Sequence, residues 1–283
     1  MHSHTTLPTE LLAREFPQSL VVLPDGAQVA VRQRGAPGPQ ASVVLLHGIS
    51  SGAASWLQVA LSLPPQTHVL AWDAPGYGES TPLPVVAPAA EDYARRLHGL
   101  LQALGCARCV LVGHSLGALM AAAHARGAGA GVVTRLVLIS PAGGYGMAGQ
   151  ADASERVRSQ RREALRMLGV AGIAQRIDQR LLSPAADEAA RQWVRWNAAR
   201  LQAGGYLQAV ELLCRTDLGA GSPLAMPVEV HCGDADVVTT PEASAAWARR
   251  LAAPFHLIDH AGHASPTEQP AAVARLIARA VPA

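Results

Sequence analysis

The sequence predicts an α/β fold: a mostly parallel central sheet with helices on both faces, and an α-helical segment inserted late in the sheet. Three observations lead there. Short, wholly apolar runs such as "ASVVLLHG" and "RLVLIS" recur along the chain, and such runs suit strands buried on both faces. Stretches with apolar residues at helical spacing separate them. From Gly143 to about Pro223 the alternation stops and only helical patterns remain.

The elements follow in order. "SLVVLPDGAQVAVRQRG" reads as a hairpin, two β-rich runs around the turn residues Pro24-Asp25-Gly26. Ala41–Gly48 is the first buried strand. "THVLAWDAPGYGES" repeats the form, a strand to about Trp72 and then a loop of Pro and Gly. In "AAEDYARRLHGLLQALG" the residues Tyr93, Leu97, Leu100, Leu101 and Leu104 line one helix face, and Gly105 stops the helix. A strand at Cys109–Val112, a helix from about Ser115 and the strand "RLVLIS" complete the first half. After the helical segment, "PVEVHCG" and "PFHLID" are strands; "PEASAAWARRLA" and "QPAAVARLIARAV" are helices. The expected division is a core domain of residues 1–143 and 224–283 and a helical cap of residues 144–223, with no internal repeat.

Composition narrows the chemistry. With 283 residues the chain is long for one domain but within range for a large α/β domain with an insertion. It is 49% hydrophobic and 16% charged, which supports a sizeable core. A net charge of +2 gives no footprint for nucleic acid or an anionic membrane. All 23 basic residues are arginines. Without lysine there is no P-loop lysine, no Schiff base and no Ser–Lys dyad. Cys106 and Cys109 form a lone CxxC; with Cys214 and Cys232 they read as ordinary thiols, because no second pair or nearby histidine completes a zinc site. No cofactor or metal is expected. The first residues lack a signal-peptide pattern, and no run of about 18 apolar residues occurs. The expectation is a soluble cytoplasmic protein whose partner is a small-molecule substrate, not nucleic acid or membrane; monomer and homodimer stay open. His2 and His4 read as a frayed terminus.

One motif concentrates chemistry. In "VLVGHSLGALMAAAHA" a buried strand runs into an alanine-rich helix through Gly113-His114-Ser115-Leu116-Gly117, the form G-x-S-x-G. A tight strand-to-helix turn of this kind holds the serine in a strained conformation with its hydroxyl clear of the sheet. Glycines flank it because side chains there would meet neighbouring chain. The helix N-terminus points backbone N–H groups at developing negative charge. With no lysine available, a serine nucleophile here needs a histidine base held by a carboxylate.

The chain resembles the α/β-hydrolase family over nearly its whole length. The resemblance rests on His47-Gly48-Ile49-Ser50 after an early strand, on Asp73-Ala74-Pro75-Gly76-Tyr77-Gly78-Glu79-Ser80, on the elbow Gly113–Gly117, and on the order serine, acid, histidine. The helical segment sits where lidded members carry their cap. The resemblance implies His263, in "IDHAGHASP", as the base. His260 is the competitor, but it lies nearer the strand end and lacks a preceding glycine. The family's G-x-x-D pattern in "HCGDADVVTTPEAS" selects Asp236 as the acid over Asp234, which would be a loop residue. The alternative acid position, in "SPAGGYG", holds no carboxylate. The implied oxyanion hole is the backbone N–H of Ile49 and of Leu116. His47 and His114 are expected to support loops, and Asp73 to tie the Pro-Gly loop.

Within residues 144–225 eleven arginines face eight carboxylates; most arginines read as solvated helix faces, with attraction of an anionic substrate as the alternative. Trp193 and Trp196, three apart on one helix face, are candidates for lining the substrate pocket, as is Tyr145; packing of the cap onto the core is the competing role. The resulting expectation is a serine hydrolase for a small carboxylic ester or lactone. C–C bond hydrolysis of meta-cleavage products and cofactor-free haloperoxidase or perhydrolase activity are alternatives. The first is disfavoured because Ala264, not an aromatic residue, follows His263. A non-enzymatic ligand-binding module is the alternative of another class.

Overall fold

The computed structural model describes residues 7–38 and 40–281; His2 and His4 lie outside them. Eight strands form one sheet: β1 (Gln18–Val22), β2 (Gln28–Arg34), β3 (Ser42–Leu46), β4 (Val69–Trp72), β5 (Cys109–His114), β6 (Val133–Ile139), β7 (Val228–Gly233) and β8 (Phe255–Ile258). Their spatial order is β1-β2-β4-β3-β5-β6-β7-β8. β2 pairs antiparallel with both β1 and β4; the other pairings are parallel.

The wholly apolar runs have a direct cause. Successive strand residues point to opposite faces, and both faces are covered. Val43 and Leu45 of β3 pack with Val110 and Val112 of β5 on one side. Val44 and Leu46 pack with Leu111 on the other. Helices α1 (Thr9–Glu15), α2 (Leu57–Ser62) and α11 (Pro270–Ala280) close the first side through Leu12, Leu57 and Ile277. Helices α3 (Ala90–Ala103), α4 (Leu116–Arg126) and α9 (Pro241–Arg250) close the second through Leu97, Leu119 and Ala248. Each buried Val, Leu or Ile contributes about 1.5–3 kcal/mol, so a polar residue on either face of β3 or β5 would be costly. The short helices α1 and α2 carry too few residues for a periodic signal and were not anticipated.

Between β6 and β7 lie four helices: α5 (Ala151–Ala174), α6 (Asp178–Leu181), α7 (Glu188–Ala199) and α8 (Ala203–Arg215). α5 is broken at Gly169, whose φ of 60° and ψ of −179° are not helical. α8 seats the insertion on the core through Tyr206, Val210 and Leu213. The short helix α10 (Ser265–Glu268) follows β8. No helix among the described residues is long and apolar enough to cross a membrane, and all four cysteines are free.

Candidate active site

β5 runs two residues past its apolar core, because Gly113 and His114 still pair with Leu138 and Ile139 of β6. The chain then turns at Ser115 with φ 53° and ψ −117°, and α4 starts at Leu116. A non-glycine residue in that region costs about 1–3 kcal/mol. The surroundings hold it there: Ser115 N–H donates to Ile139 O (3.0 Å), and Ser115 O accepts from Ala118 N (3.0 Å) and Ala142 N (3.1 Å). The flanking glycines answer to crowding. A Cβ on Gly113 would lie 2.7 Å from Ala118 Cα, and one on Gly117 would lie 2.4 Å from Leu46 O.

β3 brings His47-Gly48-Ile49 alongside this turn. Ala74 N–H donates to His47 Nε2 (3.0 Å). Nε2 is therefore the unprotonated nitrogen, and Nδ1–H donates to Gly48 O (2.8 Å). Burial, opposed in part by the charge of Asp73, lowers the His47 pKa and keeps the ring neutral. Tyr77 donates its hydroxyl to Ile49 O (2.8 Å), which fixes that peptide. No carbonyl of a described residue accepts from Ile49 N–H or Leu116 N–H, and both residues line the cavity that holds Ser115. Asp73 ties its own loop through its main chain, not through its side chain as expected. Its Oδ1 accepts from Ala53 N across the site (2.7 Å), while its main-chain oxygen takes the Ser80 hydroxyl (2.6 Å).

The loops after β7 and β8 meet on the other side of Ser115. His263 Nδ1–H donates to Asp236 Oδ2 (2.9 Å), and the two side chains are buried. Asp236 Oδ1 accepts from Val238 N (2.7 Å) and Thr239 N (3.0 Å). Burial acts to raise the Asp236 pKa, but the His263 hydrogen bond and charge and the two backbone donors outweigh it, so the carboxyl is held well below its ordinary value. The Thr239 hydroxyl stands 3.0 Å from both Ser140 O and Asp236 Oδ2 and 3.2 Å from His263 Nδ1; its single proton serves one acceptor at a time. His114 Nε2–H donates to His263 O (2.8 Å). Burial, reinforced by the neighbouring His263, pushes the His114 pKa down to about 3, so His114 is a neutral strut. No hydrogen bond joins Ser115 to His263 among the described residues, but both face one cavity of about 320 Å³.

Asp234 and His260 stand apart from this pair. Asp234 accepts from His260 N (3.0 Å) and Ala261 N (3.1 Å), bracing the His263 loop. His260 is exposed. The same loop is also tied to the insertion. Glu268 accepts from Ser183 N (2.9 Å) and from Gly262 N (2.7 Å), and Ala264 N donates to Leu181 O (2.7 Å). Gly262 owes its identity to this docking rather than to loop freedom, since a Cβ there would lie 2.6 Å from Ser183 N. Thr239 and Glu268 were not singled out in the sequence; each joins a near neighbour, Asp236 or Gly262, to a distant segment, at Ser140 or Ser183.

Of the residues expected to line the substrate pocket, Tyr145 lines the cavity that holds Ser115 and Trp193 and Trp196 do not; Trp193 lines a separate pocket beside His260 and Glu268. The two indoles do share a helix face and stack, with centroids 4.7 Å apart and an interplanar angle of 6°. That face turns toward the core, where Trp193 joins the hydrophobic cluster on the first side of the sheet, and Arg200 covers Trp196 at 4.6 Å. Among the described residues no three His, Cys, Asp or Glu side chains converge as metal ligands would.

Comparison with known proteins agrees with this architecture. The chain is 30% identical over 247 residues to 2-succinyl-6-hydroxy-2,4-cyclohexadiene-1-carboxylate synthase of Enterobacter sp. (strain 638), covering 84% of this chain and 90% of that protein. It is 34% identical over 117 residues to monoacylglycerol lipase abhd6-A of Xenopus laevis, a match spanning 39% of this chain and only 33% of the lipase. A thermophilic esterase from Thermogutta terrifontis superposes with a TM-score of 0.78 at 26% identity, covering 93% of this chain and 97% of the esterase. The model described as the alpha/beta hydrolase family matches residues 43–276; with the sheet order and the insertion after β6, the chain belongs to the alpha/beta hydrolase family.

Proposed function

We propose that the protein is a serine hydrolase cleaving a small carboxylic ester or lactone through Ser115, His263 and Asp236. The observation that carries this reading is the buried 2.9 Å pair of His263 Nδ1 and Asp236 Oδ2, whose imidazole shares a cavity with the strained Ser115. Asp236 holds the Nδ1–H tautomer and leaves Nε2 free to take a proton. Ser115 Oγ attacks the carbonyl carbon as His263 Nε2 takes its proton. The carbonyl oxygen, now anionic, receives the unpaired N–H groups of Ile49 and Leu116. The C–O bond then breaks, and His263 returns the proton to the leaving alkoxide. Water, deprotonated by the same histidine, attacks the acyl-enzyme and releases the acid. The insertion helices act as a lid over this chemistry, since Ile177 and Leu181 line the cavity. The similarity to a solved esterase supports the ester reading.

A second reading rests on the match to the synthase over 84% of the chain: the same serine–histidine pair acting as a base, without an acyl-enzyme. The experiment is fluorophosphonate labelling with mass mapping, followed by ester turnover and trapping of the acyl-enzyme. Label and acyl group both on Ser115, and loss of turnover in Ser115→Ala, are expected. Labelling without any acyl-enzyme would favour the second reading, and no labelling at Ser115 would overturn both.

A further inference from the structure

Two cations stand in the wall of the cavity with no anion beside them. Arg161 of α5 and Arg180 of α6 line the same cavity as Ser115 and His263, and no Asp or Glu side chain lines it. Five other arginines of the insertion are in ion pairs: Arg158 and Arg162 pair with Glu211, Arg166 with Glu163, and Arg191 and Arg195 with Asp178; Arg156, Arg176, Arg200 and Arg215 are in none among the described residues, but they do not line the cavity. Arg161 and Arg180 have no such ion pair among the described residues. Arg161 is nonetheless held, because its Nη1 donates to the hydroxyl of the buried Tyr206 (3.1 Å). Gln150 lines the cavity as well, and its amide oxygen is buried without a partner. Asp236, the nearby acid, is spent on His263 and backbone N–H groups.

A partly enclosed cavity with two arginines in its lining, Arg161 half-buried and Arg180 exposed, and no carboxylate favours an anion. The planar fork of arginine suits a carboxylate, which it can bind by two parallel hydrogen bonds. The remaining lining mixes apolar side chains, Met147, Leu213 and Trp247, with the polar Ser50, Ser51 and Thr239. We propose that Arg161 and Arg180 form an anion subsite, and that the substrate is an ester or lactone carrying a free carboxylate on its acyl or alcohol part. The reaction named here rests on the hydrolase reading; the binding of the carboxylate does not.

The test separates the two. Ser115→Ala protein is titrated calorimetrically with the dicarboxylates succinate, glutarate, adipate and pimelate, and with their uncharged diamides, at low and high salt. The best dicarboxylate should bind about tenfold or more tightly than its diamide, and the preference should shrink with salt. Adding Arg161→Gln or Arg180→Gln should cut that preference about tenfold. Arg180 makes no side-chain hydrogen bond to a described residue, so its replacement leaves no buried partner behind and keeps the test clear of folding effects. In parallel, kcat/KM is measured for the monomethyl and dimethyl esters of the same acids, and the half-ester should be preferred by a similar ratio. Diamides bound as tightly as dicarboxylates, or a preference that survives both arginine variants, would overturn the subsite. Arginine-dependent dicarboxylate binding without cleavage of any ester would leave the subsite standing and remove the hydrolase reading instead.

Discussion

On the mechanism proposed above, replacing Asp236 by Asn should slow catalysis steeply without removing the fold. Asp236 Oδ1 takes two backbone N–H donors, from Val238 and Thr239, while Oδ2 takes His263 Nδ1–H and stands within reach of the Thr239 hydroxyl and the Cys232 thiol, which can turn to other acceptors. An amide has one acceptor and one donor end. Its oxygen must stay with the two backbone donors, because an NH2 there would face two N–H groups. The NH2 is thus aimed at His263 Nδ1, which can receive it only as the unprotonated nitrogen. The proton moves to Nε2, and the histidine can no longer accept one from Ser115. The same wrong-tautomer substitution in a serine protease costs about 10⁴ in kcat. We expect a loss on the order of 10² to 10⁴ in kcat with KM little changed, roughly 3–5 kcal/mol in the barrier. Asp234→Asn has a different logic. Each of its oxygens accepts one backbone N–H, so the amide loses one bond and sets donor against donor at the base of the His263 loop. The expected result is about 1–3 kcal/mol of lost stability, with kcat down less than about tenfold. The assay is steady-state kinetics on one ester, with urea unfolding of all three proteins. Near-normal kcat in Asp236→Asn, or a steeper loss in Asp234→Asn, would refute the tautomer argument and the choice of acid.

Two further outcomes test the support around the site. Glu268→Gln should loosen the docking of the His263 loop on the insertion, because both Glu268 oxygens accept backbone N–H groups. A fall of a few-fold in kcat together with about 1–3 kcal/mol in urea stability is expected; unchanged kcat would mean that insertion and loop are not coupled. The pH dependence of stability should come from buried neutral histidines. Burial pushes His114 down to about 3 and His124 down to about 4, against about 6.5 in the unfolded chain. Between those values the unfolded chain binds more protons, so stability falls as pH falls. From pH 7.5 to 5.5 each contributes a loss on the order of 1 kcal/mol. Asp236, whose pKa is depressed, stabilises the fold above about pH 4 and loses that contribution only in stronger acid. Urea unfolding of wild type and His124→Gln at the two pH values checks this: an equal loss in both would show that His124 is not neutral in the fold.

The amino-acid sequence by itself determined the layered fold and the elbow. A strand buried on both faces must be apolar at every position, and a tight strand-to-helix turn must be flanked by glycine, so both leave marks within a few residues. The triad proposed here, Ser115, Asp236 and His263, rests on marks of the same kind, each residue lying in a short loop with a local pattern. What only the tertiary structure decided is where faces point and which charges meet. The spacing of Trp193 and Trp196 placed them on one helix face, but the docking of α7 turned that face to the core. Eleven arginines in the insertion looked alike in sequence. Folding brought Glu211, from α8, to Arg158 and Arg162 of α5, and left Arg161 and Arg180 facing the cavity. Glu268 and Thr239 were silent for the same reason, since each ties a near neighbour, Gly262 or Asp236, to a segment far along the chain, at Ser183 or Ser140. Backbone geometry and burial are short-range demands on residue type. Pairing across the insertion depends on how rigid elements pack, and periodicity does not encode that.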